Sequence, residues 1–172
     1  MPSIKVGLPG IASVSFSDEE VRAFFQRDTA VMLGGPCLLL SRLGTQALDA
    51  PREHPDKVGL WRPHGLPWQQ WRLRDAGSEH VWIESVYHQK RRLAAPRDGH
   101  RSVRLMSARS TSDQRWRLTR TEDQAAFLIQ SQSRPGALDA TLDPTDGTTP
   151  IIWEDPHWQP QQQWMVVRLP LT

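Results

Sequence analysis

The sequence holds a single cysteine, Cys37, so no disulfide can form within the chain. Stability must therefore come from a buried core, and a chain of 172 residues is long enough to form one as a single domain. The lack of disulfides excludes a disulfide-rich secreted scaffold and favours a reducing compartment. Cys37 stands at the start of an apolar segment, which predicts a small core residue rather than a reactive thiol.

Long hydrophobic runs are also missing. Apolar stretches such as the one from Cys37 to Leu40 are far too short to span a bilayer, and the first residues lack the apolar segment of a signal peptide. The sequence therefore predicts a protein without a membrane span. We expect it in the cytoplasm, or released without a classical signal peptide.

Motifs that carry catalysis or metal binding are not found. The sequence contains no glycine-rich phosphate loop, no Gly-x-Ser-x-Gly, no His-Glu-x-x-His and no pair of cysteines. Its six histidines, at positions 54, 64, 80, 88, 100 and 157, fall mostly in predicted turns and none is at metal-ligand spacing from another. We interpret them as solvated surface residues. The sequence predicts no enzyme activity, no metal and no cofactor.

What the sequence does contain is an internal repeat, visible in four sets of landmarks. The successive spacings are 45 and 45 in two sets, 45 and 47 in the third, and 45 and 48 in the fourth. The sets are Leu38, Ile83, Leu128; Leu48, Leu93, Leu138; Leu60, Leu105, Ile152; and Trp71, Trp116, Trp164. The third copy carries a short insertion between Asp143 and Pro160. Short apolar runs alternate with turn clusters in every copy, which predicts about four short strands each and no helix.

Each copy closes with Gln-x-Trp, and the first and third copies contain Leu-Asp-Ala. This pattern resembles the repeat of R-type (ricin B-chain) lectins over residues 37–172. The resemblance implies an all-β fold, a β-trefoil with pseudo-threefold repeats at about 37–80, 81–125 and 126–172, in which three hairpins close a six-stranded barrel. It also implies that the three closing tryptophans build the core, although the disulfides frequent in that family are missing.

Residues 1–36 precede the predicted trefoil as a leader. Ser17 to Glu20 has the pattern of a capping box, and Val21, Phe24 and Phe25 continue as one apolar stripe before Gly34-Gly35-Pro36. The pattern predicts one short amphipathic helix that packs on the trefoil. Two interpretations of this helix remain open: a cap over the barrel, or a docking element for a protein partner.

The same resemblance implies a set of sugar-binding residues. In R-type lectins these are the Asp of Leu-Asp, an aromatic residue at the end of the third strand, and the Asn-Gln pair before the closing Trp. The corresponding residues are Asp49, Trp61, Trp68 and Gln69 in the first copy and Asp139, Trp153, Gln161 and Gln162 in the third. A carboxylate can accept from two neighbouring hydroxyls, and an indole can stack on the C–H face of a pyranose.

The copies depart from the pattern of the family at four positions. Trp68 and Gln161 stand where the family usually has Asn. The middle copy has Ala94 for the Asp and Met106 for the aromatic residue, which predicts a pocket without function. Turn capping by the two Asp residues and strand packing by the two Trp residues are the alternatives to sugar binding.

Charge is spread unevenly between the copies. Residues 81–120 contain ten Lys or Arg and three acidic residues, whereas residues 126–172 contain two basic and five acidic residues. The basic residues around the middle pocket are Lys90, Arg91, Arg92, Arg97, Arg101 and Arg104. They form either a solvated face or a surface for an anionic partner. Few aromatic residues accompany them, so sequence-selective nucleic-acid binding is not expected.

We therefore predict a carbohydrate-binding β-trefoil whose first and third repeats take galactose- or GalNAc-type glycans. One alternative is a scaffold for protein interaction or targeting, including the way in which some trefoils inhibit proteases, because a fold does not fix a function. The other alternative is binding of a polyanion through the basic second repeat.

Overall fold

The computed structural model describes residues 4–8, 11–16, 33, 35–44, 46–97, 99–142 and 144–170, with the backbone alone for the first two ranges. The strands in these ranges are β1 Ile4–Leu8, β2 Ile11–Phe16, β3 Pro36–Ser41, β4 Ala47–Asp49, β5 Gly59–Trp61, β6 Trp71–Gly77, β7 His80–Ser85, β8 Arg91–Ala94, β9 Arg104–Ser107, β10 Trp116–Arg120, β11 Phe127–Ser131, β12 Ala137–Asp139, β13 Ile151–Trp153 and β14 Gln163–Arg168. Three single-turn 3-10 helices span Pro67–Gln69, Ser112–Gln114 and Pro160–Gln162. In the described part of the chain, no helix is long and apolar enough to cross a membrane.

Six strands form a closed barrel. Each pairs antiparallel with the next in the order β3, β6, β7, β10, β11, β14, and β14 returns to pair with β3. The remaining strands after the leader form three hairpins, β4–β5, β8–β9 and β12–β13. Closure leaves the barrel without an exposed strand edge. A six-stranded barrel with three hairpins is a β-trefoil, so the predicted all-β fold is confirmed.

The hairpins place the sequence landmarks in equivalent positions. Across the three hairpins, the paired residues are Leu48 with Leu60, Leu93 with Leu105, and Leu138 with Ile152. The pairs are 12, 12 and 14 residues apart, so two of the three inserted residues lie in the β12–β13 loop. The third inserted residue lies between β13 and β14, and the register of the strands themselves is kept.

The closing tryptophans lie in the core, as predicted. Trp71, Trp116 and Trp164 are fully buried. Their indole N–H groups donate to the backbone carbonyls of Leu48, Leu93 and Leu138 at 2.9, 3.0 and 2.9 Å. Each bond ties a barrel strand to the hairpin of the same repeat and satisfies a donor that would otherwise be buried without a partner.

Cys37 is a core residue, as the sequence predicts. It is 1% exposed, and its Sγ donates to the carbonyl of Trp71 at 3.3 Å. Burial raises the pKa of the thiol to about 12, so it stays protonated and unreactive at neutral pH.

Neighbouring repeats are joined in a cycle of backbone hydrogen bonds. The third strand of each repeat donates one N–H to a loop carbonyl of the preceding repeat. These bonds run from Leu60 to Thr148, from Leu105 to Asp56 and from Ile152 to Arg101, at 2.8, 3.0 and 2.8 Å. A loop of one repeat therefore lies beside the third strand of the next.

The leader contains a hairpin that the sequence analysis did not predict. Strands β1 and β2 pair antiparallel, with Ile4 opposite Phe16 and a register shift before Leu8. The alternation of apolar residues at positions 4, 6 and 8 is a strand pattern, which is consistent with this hairpin. The predicted helix from Ser17 onward falls on residues 17–32, which lie outside the described residues.

Candidate functional site

The first repeat forms a pocket beside its β4–β5 hairpin. Asp49 ends β4 and is 2% exposed, whereas Trp61 ends β5 and is 41% exposed. A cavity of about 360 Å³ lies against them. Its lining consists of Asp49, Pro51, Arg52, Glu53, His54, Trp61, His64 and Trp68. Asp49, Trp61, His64 and Trp68 are called the first-repeat site below.

Asp49 is a carboxylate held close to an imidazole. The Oδ2 atom of Asp49 lies 3.5 Å from Nε2 of His64. Burial raises the pKa of Asp49 to about 6 against the opposing effect of a side-chain hydrogen bond with Gln69, and burial also lowers the pKa of His64. At neutral pH the pair is therefore a carboxylate beside an uncharged imidazole. Pro51, two residues after Asp49, has no N–H to donate to this carboxylate.

Gln69 braces the loop that carries His64. Its side chain is fully buried, and Oε1 accepts from the backbone N–H groups of His64 and Gly65 at 2.9 and 3.2 Å. Its Nε2 donates to the carbonyl of Arg62 at 3.1 Å. The sequence analysis placed Gln69 among the ligand contacts, and in the structure its side chain is bonded to the loop and does not line the cavity. Gln69 is a positioning residue.

Trp68 adds a second aromatic wall. Its ring lies edge-on to the His64 ring, with 5.5 Å between the centroids. The guanidinium of Arg52 lies 5.5 Å from the centroid of the Trp68 ring, within reach of a cation–π interaction. The first-repeat site therefore has two indoles beside the same cavity as Asp49, where R-type lectins usually have one indole and one amide.

The third repeat brings the same kinds of residue together. Asp139 is 3% exposed at the end of β12, and Trp153 is 40% exposed at the end of β13. Nε2 of His157 lies 3.7 Å from Oδ2 of Asp139. In contrast to the first repeat, the backbone N–H of Thr141 donates to Oδ1 of Asp139 at 2.7 Å. Asp139, Trp153, His157 and Gln161 are called the third-repeat site.

The third-repeat site differs in its supporting residues. Gln162 is fully buried, and its Oε1 accepts from the backbone of His157 at 2.9 Å, so it also positions the loop rather than contacting a ligand. Its Nε2 is buried and has no hydrogen-bond partner among the described residues. Gln161 is 6% exposed, and the guanidinium of Arg101 lies 5.0 Å from the centroid of the Trp153 ring.

The two histidines beside the carboxylates were missed by the sequence analysis, which took all six as solvated surface residues. His64 and His157 each stand seven residues before the closing Trp of their repeat, and Arg109 has that position in the second repeat. Aligning the repeats on the closing Trp was the signal that could have found them.

Backbone bonds show which residues share the position before the buried Gln. The N–H groups of Ala50, Ala95 and Ala140 donate to the carbonyls of Trp68, Asp113 and Gln161 at 2.8, 2.7 and 2.8 Å. Trp68, Asp113 and Gln161 are therefore equivalent. In the second repeat, Ala94 is 2% exposed in place of the Asp, and Met106 is 44% exposed in place of the Trp. That repeat lacks both groups with which the other two would hold a sugar.

The predicted basic face does not form one free surface. Arg92 donates from Nε to Oε1 of Glu84 at 3.0 Å and lies 3.9 Å from the centroid of the Trp82 ring. Its side chain is only 13% exposed. Arg91 reaches the carbonyl of Leu105 at 3.4 Å. These bonds hold two of the six basic groups against the protein.

The other four basic residues point to separate places. Arg97 pairs with Asp113, and Arg101 lies against Trp153 of the next repeat. Lys90 and Arg104 are exposed. Within the described ranges, no group of three or more His, Cys, Asp and Glu side chains could hold a metal ion.

Comparison with known proteins identifies the fold. No protein-family model matches the chain, and no curated protein matches it. A ricin B-like lectin from Macrolepiota procera, solved in complex with lactose, is 20% identical with a TM-score of 0.66, over 80% of this chain and 97% of that one. The designed threefold-symmetric protein ThreeFoil is 23% identical with a TM-score of 0.69, over 79% of this chain and all of that one.

A third matched structure is much longer than this chain. It is a mosquitocidal holotoxin, 19% identical with a TM-score of 0.72 over 78% of this chain, of which the match covers 16%. At these identities the likeness establishes the architecture alone, a β-trefoil. It leaves the ligand to be argued from the site itself.

Proposed function

We propose that this chain binds carbohydrate of the galactose or GalNAc type through the first-repeat and third-repeat sites, without catalysis. The observation that carries the proposal is a buried Asp, a half-exposed Trp and a histidine brought together in two repeats and absent as a set from the second. If these residues only supported the barrel, the three repeats would not be expected to keep or lose the Asp, the Trp and the His as a set. The lactose complex of the Macrolepiota procera lectin supports a galactose-type ligand.

The contacts define a role for each group. The carboxylate of Asp49 or Asp139 accepts from two adjacent sugar hydroxyls, which gives short, charge-assisted hydrogen bonds. The indole of Trp61 or Trp153 covers the apolar face of the ring. The imidazole of His64 or His157 lies within reach of the same carboxylate and keeps it oriented. One such site binds weakly, and two on one trefoil gain affinity for a multivalent glycan.

Variants of the two carboxylates test the proposal. Asp49→Ala and Asp139→Ala should each remove one lactose site, so calorimetry should count two sites in the parent, one in each single variant and none in the double variant. Retention on a galactose matrix should be lost in the double variant while the melting temperature stays near that of the parent. Unchanged retention of a folded double variant would overturn the proposal.

Binding at the first-repeat site should depend on pH. With a pKa of about 6, Asp49 is about 90% ionised at pH 7 and about 10% ionised at pH 5, and only the ionised form accepts from both hydroxyls. Lactose affinity measured in Asp139→Ala should therefore fall about tenfold from pH 7 to pH 5, with its midpoint near pH 6. An affinity that stays constant over this range in the folded protein would contradict the assigned role of Asp49.

The two alternatives rest on other parts of the chain. A protein-interaction scaffold would act through the leader, whose predicted helix lies outside the described residues. A polyanion surface would need the six basic residues of the second repeat to act together, but Arg91 and Arg92 are bonded to the protein. Neither alternative has a structural observation comparable to the paired Asp–Trp–His sets.

A further inference from the structure

The aromatic wall of the first-repeat site continues beyond its cavity. Trp68 lines that cavity together with Asp49. The ring of Tyr87 lies next to Trp68, with 5.9 Å between the ring centroids and an angle of 83° between the ring planes. Tyr87 follows β7, so the row of rings crosses from the first repeat into the second. Tyr87 is 40% exposed, so part of its ring is open to a ligand.

The ring of Tyr87 is held by its neighbour His88. The two rings meet edge to face, with 4.9 Å between their centroids. The backbone N–H of His88 donates to Oγ of Ser85 at 3.0 Å, and Nε2 of His88 lies 3.0 Å from the carbonyl oxygen of Pro51. Pro51 lines the same cavity as Asp49. The Tyr87 segment is therefore tied to the edge of the first-repeat site, which lowers the cost of ordering it when a ligand binds.

The two rings occur together in the first repeat alone. The serines opposite the three closing tryptophans show which residues are equivalent to Tyr87. These serines are Ser85, Ser131 and Ser41. Two residues further along the chain stand Tyr87, Ser133 and Leu43. Since Asp113 and Gln161 have the position of Trp68, the second and third repeats have no aromatic residue at either place.

We infer that Trp68 and Tyr87 form a second sugar subsite, so that the first-repeat site binds an oligosaccharide and the third-repeat site a single sugar unit. The inference rests on the proposed function, because Asp49 and Trp61 must first hold the terminal galactose-type unit. The next unit then lies beside Trp68 and stacks its apolar C–H face on the ring of Tyr87.

The rim of the cavity supplies polar groups for the hydroxyls of the second unit. Arg52, Glu53 and His54 are exposed and line the cavity, and the guanidinium of Arg52 stands beside Trp68. A guanidinium donates, a carboxylate accepts and an imidazole does either. Aromatic walls with a few polar groups at the rim are the usual form of a site for a small ligand.

Calorimetry with galactose and lactose, which differ by one sugar unit, tests the inference. In Asp139→Ala, which keeps the first-repeat site, lactose should bind about three- to tenfold more tightly than galactose, as expected for one added aromatic contact. In Asp49→Ala, which keeps the third-repeat site, the two affinities should be equal. Adding Tyr87→Ala to Asp139→Ala should remove the gain for lactose and leave galactose affinity unchanged, whereas Tyr87→Phe should keep the gain.

Leu43→Ala, at the equivalent position for the third repeat, is the matched control and should change neither affinity in Asp49→Ala. If Asp139→Ala binds galactose and lactose equally, the inference is wrong and the proposed function stands. If neither single-site variant binds either sugar, the proposed function is wrong and the inference fails with it. Equal losses of galactose and lactose affinity in Tyr87→Ala would show that Tyr87 supports the whole site, and would overturn the subsite.

Discussion

Asp49→Asn is expected to make the protein more stable at pH 7 and, at the same time, to remove lactose binding at the first-repeat site. The stability gain should be about 1 to 3 kcal/mol, seen as a rise of several degrees in the melting temperature. Loss of binding should exceed tenfold, because an amide has one acceptor oxygen and no charge with which to hold two hydroxyls.

The sign of the stability change follows from the pKa of Asp49. Burial raises it from 3.8 to about 6 in the folded protein, so between these values the folded state binds more protons than the unfolded state. The free energy of unfolding therefore falls as pH rises through about 6. At neutral pH the folded protein bears the whole destabilisation that comes from burying the charge of Asp49. Asn removes this cost and keeps the shape of the side chain. Below pH 4 the advantage of the variant should disappear.

Asp139→Asn is the matched control. Asp139 already accepts a backbone hydrogen bond from Thr141, whereas Pro51 has no N–H for Asp49. An amide oxygen is a weaker acceptor than a carboxylate, so this variant should be no more stable than the parent. Melting curves of both variants at pH 4 and pH 7 give the comparison. A fall in the melting temperature of Asp49→Asn at pH 7 would contradict the argument.

The fold was predictable because it rests on a repeated pattern. Landmarks 45 residues apart take equivalent places in the hairpins: Leu48 pairs with Leu60 as Leu93 pairs with Leu105. The closing tryptophans lie in the core, where the pattern put them. The β1–β2 hairpin was missed because two short strands in a leader have no second copy with which to compare them. A repeat supplies its own comparison, and a single segment does not.

The site was predictable in part, and the missed part has a physical reason. Asp49 and Trp61 could be placed from their offsets to the landmarks, but the role of His64 depends on a loop folding back over Asp49. The position of Gln69 next to the pocket says nothing about the direction of its side chain, whose Oε1 accepts from the backbone N–H groups of His64 and Gly65.

The basic residues show the same limit. The number of basic residues in residues 81–120 was clear from the sequence. The sequence did not show that Glu84 and Trp82 hold Arg92, or that Arg104 lines a cavity. Charge counts describe a segment, whereas binding depends on which groups remain free to meet a ligand.

Trp116→Ala is expected to give the largest loss of stability, because it empties the centre of the second repeat. The side chain is fully buried, and truncation of a buried Trp costs about 3 to 5 kcal/mol through lost contacts and the cavity left behind. That is a large share of the stability of a domain of this size. The variant should melt well below the parent, or should fail to fold at 37 °C.

Trp116→Phe separates packing from the hydrogen bond. Phe keeps most of the apolar contact but leaves the buried carbonyl of Leu93 without the indole N–H that now lies 3.0 Å away, at a cost of about 1 to 3 kcal/mol. Because the pockets of the first and third repeats are braced by their own tryptophans, this variant should bind lactose as the parent does. Reduced lactose binding in folded Trp116→Phe would show that the repeats are coupled more tightly than their separate indole bonds imply.

Trp158→Gly is the control, because it removes an indole that is not part of the buried core. Trp158 is 44% exposed and has a φ of +58°, at the place where the first repeat has Gly65 with a φ of +69°. Glycine adopts this conformation without strain, so the variant should be as stable as the parent or more stable by up to about 1 kcal/mol. Opposite shifts of the melting temperature in Trp116→Ala and Trp158→Gly would show that position in the repeat, and not residue type, decides what a tryptophan contributes here. Equal losses in both would overturn that assignment.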